Sequence, residues 1–192
     1  MARILIVGGG CPGRRLAARL VDEGHAVRVT TRREDGRSAI EASGAECWIG
    51  TPDRLATMRG ALDHVTVACW MLAGAHCEPE ELRALHTSRL EFFLTQAIDT
   101  TVRGFLYDAT PPRGAGSKAV QPALLADGAK IVRRLTELNA IPASVLDASV
   151  GAAVVAVAGA GEGAGEGAGR AWPDEWVDAA VGAIDALLAG RT

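Results

Sequence analysis

The 192-residue chain carries little net charge and no long apolar run, and these absences exclude several classes of protein. A formal charge of −3 and a hydrophobic content of 48% are ordinary for a soluble protein, and neither indicates a nucleic-acid or membrane partner. No apolar stretch is long enough to span a bilayer, and the first residues lack the apolar core and cleavage site of a secretion signal. We therefore expect a cytoplasmic protein with one domain that buries a proper core.

A C-x-x-C pair is also absent, although the chain contains four cysteines. Without such a pair, neither a zinc nor a redox motif is indicated. Cys47 and Cys69 fall in predicted strands, where a reduced and buried thiol is expected. Cys11 lies at the start of a predicted helix, a position that favours thiol reactivity, but a small side chain lining a glycine loop is the favoured interpretation.

Motifs of several other enzyme classes are missing as well. There is no G-x-S-x-G elbow of a serine hydrolase, and the glycine-rich stretch lacks the Lys-Ser/Thr pair of a P-loop. His76, Cys77, Glu78 and Glu80 lie close together in the chain, which makes a metal site conceivable. Their spacing matches no ordinary zinc pattern, so we predict no metal site.

The most informative stretch that is present is an apolar run at residues 4–7, followed by three consecutive glycines. Gly8, Gly10 and Gly13 have the G-x-G-x-x-G spacing, directly after a predicted strand and at the start of a predicted helix. In a dinucleotide site the first glycine permits a sharp turn, the second lets a pyrophosphate approach the backbone, and the third lets the helix pack against the strand. The helix directs its free N–H groups and the positive end of its dipole at the anion. This stretch predicts a nucleotide-binding domain.

Apolar strands and helical segments alternate along most of the chain. The predicted strands comprise residues 4–7, 26–31, 46–49, 65–70, 104–107 and 143–147. The predicted helices comprise the segment after the glycines and residues 37–43, 52–62, 78–100 and 124–138. Alternation over six strands predicts an α/β fold, a Rossmann-type doubly wound parallel sheet of about six strands in the order 3-2-1-4-5-6.

Two segments outside this pattern bear on the organisation of the chain. Residues 159–169 are rich in Gly and Ala and have nothing to bury, so we expect a flexible loop within a single domain, 1–192. A final helix begins near Trp172 and is expected to dock on the sheet, with pairing to the same helix of a second subunit as the alternative. The apolar face of the helix predicted at 78–100 makes a homodimer plausible, and His86 and Arg89 on that helix are expected to face solvent or a neighbouring subunit.

The tip of the second predicted strand lacks the carboxylate that normally holds the ribose of NAD. The sequence there reads Thr30-Thr31-Arg32-Arg33. A guanidinium group suits the 2′-phosphate of NADP, which a carboxylate would repel, so NADP is favoured over NAD. The alternative is that Arg32 and Arg33 are solvated loop residues.

Residues around the glycine turn bear on the same question. Arg14 and Arg15 place cations in the first turn of the helix, where they oppose the dipole unless a bound phosphate compensates them. Pro12 removes one N–H group that could hold a pyrophosphate, which leaves weak or lost binding as an alternative. Trp70 and Met71, at the tip of the fourth predicted strand, are candidates for lining the cofactor crevice, and core packing is an equally good interpretation.

The residues 4–13, 24–33 and 44–53 together resemble the start of atypical and extended short-chain dehydrogenase/reductase proteins, a group with epimerase-like and NmrA-like members. The resemblance covers about the first 75 residues and implies an NAD(P)-binding Rossmann domain. Thr51 stands where the family usually has an acid after the third strand.

The catalytic Tyr-x-x-x-Lys pair of that family is not found. Tyr107 is the only tyrosine, it lies in a predicted strand, and Pro111 stands four residues after it, so a core role is expected. The lysines are Lys118 and Lys130, and neither follows a tyrosine at the required spacing. Thr110 lies near the place of the family's Ser/Thr at the end of the fifth strand.

Two functions remain open at this point. One is an NAD(P)-binding protein, NADP-preferring and without catalysis, such as a sensor or regulatory module. The other is an NADP-dependent oxidoreductase or epimerase-like enzyme whose proton donor is not identified. The candidate cofactor-binding residues are Gly8, Gly10, Cys11, Gly13, Arg14, Thr31, Arg32, Arg33, Thr51, Trp70 and Met71.

Overall fold

The structure is a computed structural model that describes residues 1–111, 120–147 and 174–190. The Gly/Ala-rich segment 159–169, Trp172 and Lys118 lie outside the described residues.

Six parallel strands form one sheet in the order β3-β2-β1-β4-β5-β6, so the predicted fold class and strand order are confirmed. The strands are β1 Arg3–Val7, β2 Ala26–Thr31, β3 Glu46–Ile49, β4 Val67–Trp70, β5 Gly104–Asp108 and β6 Ala143–Leu146. The order reverses direction at β1, because the chain passes from β3 at one edge to β4 on the other side of β1. This reversal opens a crevice at the carboxyl ends of the central strands.

Helices cover both faces of the sheet, as a parallel sheet requires. They are α1 Cys11–Asp22, α2 Arg37–Glu41, α3 Pro79–His86, α4 Ser88–Ile98, α5 Pro122–Leu138 and α6 Asp174–Leu188. None of these described helices has the length and apolarity that crossing a membrane would take.

Strand β1 shows how the alternation of side chains builds two cores. Ile4 and Ile6 pack with α1 and α6 on one face, whereas Leu5 and Val7 belong to the core under α3, α4 and α5. All four side chains are completely buried. An apolar strand with both faces covered therefore reads as a continuous hydrophobic run, which is the pattern that the sequence has.

The prediction of a helix at residues 52–62 is wrong. The structure has two short 3₁₀ turns there, Leu55–Thr57 and Gly60–Leu62. The hydroxyl of Thr57 donates to the carbonyl of Arg54 at 2.6 Å and accepts from the amide of Thr51 at 3.0 Å. These side-chain bonds compete with helical backbone bonds and hold the segment in turns.

The long helix predicted at 78–100 is two helices, α3 and α4, separated at Thr87. Thr87 has φ −128° and ψ −98°, and its hydroxyl donates to the carbonyl of Arg83 at 2.7 Å. The break turns His86 into the core, where its Nδ1 lies 2.7 Å from the hydroxyl of Tyr107. The expectation that His86 faces solvent is therefore wrong, because its side chain is completely buried.

Helix α6 docks on the sheet, as predicted. It contacts α1 and the strands β4, β5 and β6, and its apolar face includes the buried Val177 and Ile184. Two ion pairs join it to α1, one between Arg15 and Asp174 and one between Arg19 and Asp178. The C-terminal helix is thus fixed to the helix that follows the glycine turn.

Candidate functional site

A cavity of about 670 Å³ lies at the carboxyl edge of the sheet, where the strand order reverses. It extends from the residues after β3 and β2, past the glycine turn after β1, to the ends of β4 and β5. Its described lining includes Gly8, Gly9, Gly10, Cys11, Pro12, Thr31, Arg32, Thr51, Asp53, Met71, Leu72, His76, Cys77, Glu81, Leu85, Arg89 and Asp108.

Two of the three motif glycines are required by the packing of the protein itself. Gly8 has φ +124°, and a Cβ atom there would lie 2.5 Å from the carbonyl oxygen of Met71. A Cβ atom on Gly13 would lie 2.1 Å from the carbonyl oxygen of Gly8. The first glycine therefore permits the turn, and the third lets α1 pack closely against β1.

Gly10 differs from the other two glycines. The nearest protein atom to a Cβ built on it is Cδ of Pro12, at an ordinary contact distance of 3.7 Å. Gly10 is exposed, has φ −66°, and lines the cavity. The packing of the described residues therefore does not require a glycine at this position.

The start of α1 presents main-chain donors to the cavity. The first N–H groups of any helix have no acceptor within the helix, and here Cys11 and Gly13 carry such groups, while Pro12 has none. Gly10 caps the helix without a side-chain hydrogen bond, and the first turn contains no acidic residue. The helix dipole makes this turn electropositive, so it suits an anion.

The two arginines that follow the glycines do not contribute their charges to an anion site, because both are bonded to groups of the protein. Nη1 of Arg14 donates to the carbonyl oxygen of Gly9 at 2.8 Å, which fixes the conformation of the turn. Arg15 pairs with Asp174 on α6. Both cations are thus engaged with protein groups, and the charge of Arg15 contributes to docking α6.

The β2 end of the cavity carries two of the three candidate cofactor-binding residues that lie at the end of this strand. Thr31 and Arg32 line the cavity, and Arg32 is exposed. Arg33 instead pairs with Asp35, and 78% of its side chain is exposed. The structure therefore separates the two arginines, placing Arg32 at the cavity and Arg33 in the surface turn.

The β3 end adds two charged residues that the sequence reasoning missed. Thr51 lines the cavity, and its hydroxyl donates to a carboxyl oxygen of Asp53 at 3.1 Å. Asp53 also pairs with Arg89, which reaches it from α4. The expectation that Arg89 faces solvent or another subunit is wrong, because the break at Thr87 directs α4 past the cavity.

At the tip of β4 the two predicted crevice residues take different places. Met71 lines the cavity. Trp70 is completely buried, and its ring centroid lies 5.1 Å from that of Phe93. Of the two interpretations given for Trp70, the structure therefore supports core packing and not crevice lining, because its side chain belongs to the core under α4.

The β5 end of the cavity carries a buried carboxyl group, that of Asp108. This residue lines the cavity although it is only 2% exposed. Its Oδ1 accepts a hydrogen bond of 3.0 Å from the amide of Thr110. Burial raises the pKa of Asp108 to about 6, and hydrogen bonds from Thr110 and Trp176 offset part of this shift. The sequence reasoning missed Asp108, although an acidic residue at the carboxyl end of a fully buried strand indicates such a group.

Tyr107 occupies the core, as predicted. Its side chain is completely buried, and its hydroxyl bonds to His86 rather than reaching the cavity. Burial raises the pKa of Tyr107 well above its usual range and lowers the pKa of His86 to about 4. Lys130 pairs with Asp127 on the surface of α5.

The histidine and cysteine after β4 do not form a metal centre with their neighbours. Within the described ranges, no group of three metal-ligating side chains comes together. Nδ1 of His76 lies 2.8 Å from the carbonyl oxygen of Gly74. Burial raises the pKa of the Cys77 thiol, which disfavours the thiolate that a metal would bind.

Comparison with known proteins identifies the fold. No protein-family model and no curated protein sequence matches the chain. Solved structures match it over about three quarters of its length. The chain has a Rossmann fold, and the solved structures that it resembles include short-chain dehydrogenase/reductase proteins.

Three matched structures illustrate this likeness. A short-chain dehydrogenase/reductase superfamily protein from Agrobacterium tumefaciens with bound NAD is 20% identical, with a TM-score of 0.59 over 76% of this chain and 48% of that one. UDP-glucose 4-epimerase from Thermotoga maritima is 15% identical, with a TM-score of 0.62 over 76% and 54%. Vestitone reductase from alfalfa is 14% identical, with a TM-score of 0.56 over 77% and 56%. The chain thus spans about half the length of these three proteins.

Proposed function

We propose that this chain binds a nicotinamide dinucleotide at the carboxyl edge of its sheet and prefers NADP to NAD. The pyrophosphate would lie against the first turn of α1, and the adenosine half would lie over the tips of β2 and β3. The cavity volume of about 670 Å³ is within the usual range for small-molecule sites, roughly 300–1,000 Å³. The short-chain dehydrogenase/reductase fold places dinucleotides at this same switch point.

The observation that carries the proposal is the contrast among the three motif glycines. Gly8 and Gly13 are explained by contacts within the protein, at 2.5 Å and 2.1 Å. Gly10 is not explained in this way, since a side chain there would meet the protein only at 3.7 Å. A ligand that approaches the backbone closely accounts for Gly10, the second glycine of the motif.

The preference for NADP rests on Arg32. It lines the cavity beside Thr31, where an NAD-specific site would present a carboxylate. A guanidinium group forms charge-assisted hydrogen bonds with a phosphate, so Arg32 suits the 2′-phosphate of NADP. Asp53 is also at this end, but its carboxylate is engaged by Arg89.

We further propose that the chain works without the Tyr-x-x-x-Lys pair of the short-chain dehydrogenase/reductase family. Tyr107 is buried against His86, and Lys130 is on the surface of α5. A dinucleotide sensor or regulatory module, as in NmrA-like proteins, is consistent with this. The alternative is an oxidoreductase or epimerase-like enzyme with a different proton donor, and the buried carboxyl group of Asp108 in the cavity favours it.

The substitution Gly10→Ala tests the binding site without disturbing the packing. We expect the variant to fold normally and to bind NADPH at least tenfold more weakly, because the added methyl group would occupy the space of the pyrophosphate. Isothermal titration calorimetry with NADPH gives the affinity, and thermal unfolding gives the stability.

Gly182→Ala in α6 is the matched control, since a Cβ atom there meets nothing within 4 Å. It should leave NADPH binding unchanged. If Gly10→Ala bound NADPH as tightly as the unchanged protein, or if the unchanged protein bound no dinucleotide at millimolar concentration, the proposed function would be wrong.

A further inference from the structure

Asp108 lies at the opposite end of the cavity from the residues that suit the adenosine half of a dinucleotide. Arg32 and Thr51 follow β2 and β3, the glycine turn follows β1, and Asp108 ends β5. A dinucleotide in this fold lies across the switch point, with one half on each side of its pyrophosphate. If the adenosine half takes the β2 and β3 side, the nicotinamide half and any reacting molecule take the side of Asp108.

The surroundings of Asp108 stabilise a neutral carboxyl group. Its side chain is 2% exposed, and among the described residues no lysine, arginine or histidine pairs with it. The groups that act on it are the donors Thr110 and Trp176 and the neighbouring Tyr107. On β6, the residue paired with it is the apolar Leu146. Burial without a cation favours the protonated form of a carboxyl group.

We propose, on the basis of the dinucleotide site above, that Asp108 is the proton donor and acceptor of this cavity and that its substrate is a small carbonyl compound or the corresponding alcohol. The pKa of about 6 suits this role, because an acid–base group is most effective when it titrates near the working pH. A chain without the Tyr-x-x-x-Lys pair then still has a group that can transfer a proton.

The reaction balances with a reduced nicotinamide dinucleotide as the reductant. The carbonyl carbon accepts a hydride from the reduced cofactor, and its C=O double bond becomes a C–O single bond. The carbonyl oxygen takes the proton from Asp108, whose O–H bond breaks. The carboxylate regains a proton from water, and the products are the alcohol and the oxidised cofactor. In the reverse direction the carboxylate accepts the proton of the alcohol.

Proton release on cofactor binding tests the location of Asp108 without requiring turnover. The oxidised nicotinamide ring is a cation and the reduced ring is neutral, so NADP⁺ should favour the carboxylate of Asp108 more than NADPH does. Titration calorimetry in buffers of different ionisation enthalpy counts the protons released. At pH 5.5 we expect NADP⁺ to release roughly 0.3–0.5 proton more than NADPH. The 2′-phosphate is common to both ligands and cancels in this difference.

The variant Asp108→Asn should abolish the difference in proton release while it still binds both cofactors. Asp127→Asn, an exposed residue on α5 paired with Lys130, is the matched control and should retain the difference. No difference in the unchanged protein, or a difference that persists in Asp108→Asn, would overturn the inference while leaving the dinucleotide site intact. Failure of the unchanged protein to bind either cofactor would instead overturn the proposed function, and this inference with it.

Turnover tests the substrate class. With NADPH and a panel that includes butanal and cyclohexanone, we expect oxidation of NADPH by the unchanged protein and by Asp127→Asn. In Asp108→Asn the rate should fall by about 100-fold or more, with the NADPH affinity within about threefold. An equal rate in Asp108→Asn would show that Asp108 is not the proton donor, and no turnover by the unchanged protein with any of these carbonyl compounds would overturn the substrate class.

Discussion

At the β2 and β3 end of the cavity the charged side chains reach solvent, whereas at the β5 end the carboxyl group of Asp108 is buried. Arg32 is exposed, and the ion pair between Asp53 and Arg89 is partly exposed. Asp108 is 2% exposed and has no cation partner among the described residues. Exposed charges keep their hydration and can attract an anionic ligand at little cost to stability, whereas a buried acid is driven towards its neutral form.

This difference in burial suits the two ends of the cavity to different roles. The exposed end supplies permanent charge, which suits the recognition of a phosphate. The buried end supplies a group that changes its protonation near neutral pH, which suits proton transfer. The glycine turn joins the two ends, so a substitution there affects both, while substitutions at either end should be separable.

The largest effect is expected for Gly13→Ala, which disrupts the turn that both ends share. A methyl group would lie 2.1 Å from the carbonyl oxygen of Gly8, so β1 and α1 must move apart. We expect the free energy of unfolding, measured by urea denaturation, to fall by about 3 kcal/mol, the upper end of the usual cost of overpacking, because the clash is with main-chain atoms. Gly182→Ala should show no such loss, and a Gly13→Ala protein of unchanged stability would contradict the close packing of α1 on β1.

The next largest effect concerns Asp108 alone and depends on pH. Its pKa in the folded protein, about 6, lies above the ordinary value of 3.8. The protonated form therefore contributes stability at low pH, and this contribution is lost as the pH rises through 6. Asp108→Asn removes the dependence, so its stability relative to the unchanged protein should improve by about 2–3 kcal/mol between pH 4 and pH 8.

Urea denaturation at both pH values measures this difference. His86 also titrates in the folded protein, but it is present in both proteins, so its contribution cancels. A stability difference that is the same at pH 4 and pH 8 would mean that Asp108 ionises as an ordinary surface acid.

A smaller effect is expected at the exposed end. Arg32→Ala should weaken NADPH binding about tenfold, equivalent to roughly 1.4 kcal/mol, and leave NADH binding unchanged, because NADH has no 2′-phosphate. Arg33→Ala is the matched control, since Arg33 pairs with Asp35 in the surface turn. Equal losses for NADPH and NADH, measured by calorimetry, would remove the argument for the 2′-phosphate.

The smallest effect is expected for Cys11→Ala. The residue is exposed and lines the cavity at the first position of α1, where the main-chain N–H group, not the thiol, suits an anion. The affinity for NADPH should stay within about twofold. A loss of tenfold or more would assign the thiol a direct role in the site.

The parts of this fold that depend on short stretches of sequence were predictable. The glycine turn is an example, because the positive φ of Gly8 and the contact of Gly13 with the carbonyl oxygen of Gly8 both arise within a few residues of chain. The strand order followed from the alternation of apolar strands with helices. In these regions the structure that the local sequence pattern favours is also the structure that the whole fold requires.

The errors occurred where one side chain decides between two local structures. The hydroxyl groups of Thr57 and Thr87 bond to the main chain and replace a regular helix with turns or a break. The break at Thr87 in turn placed His86 in the core and Arg89 at the cavity. Asp108 was missed because its environment is formed by distant segments, including Trp176 on α6.

The docking of α6 implies an order of assembly. A nascent chain that has emerged as far as β6 contains all six strands but lacks Asp174, which pairs with Arg15, and Trp176, which lowers the pKa of Asp108. Both contacts form only when α6 closes over the sheet. The buried state of Asp108 therefore depends on a helix that is synthesised after every strand of the sheet.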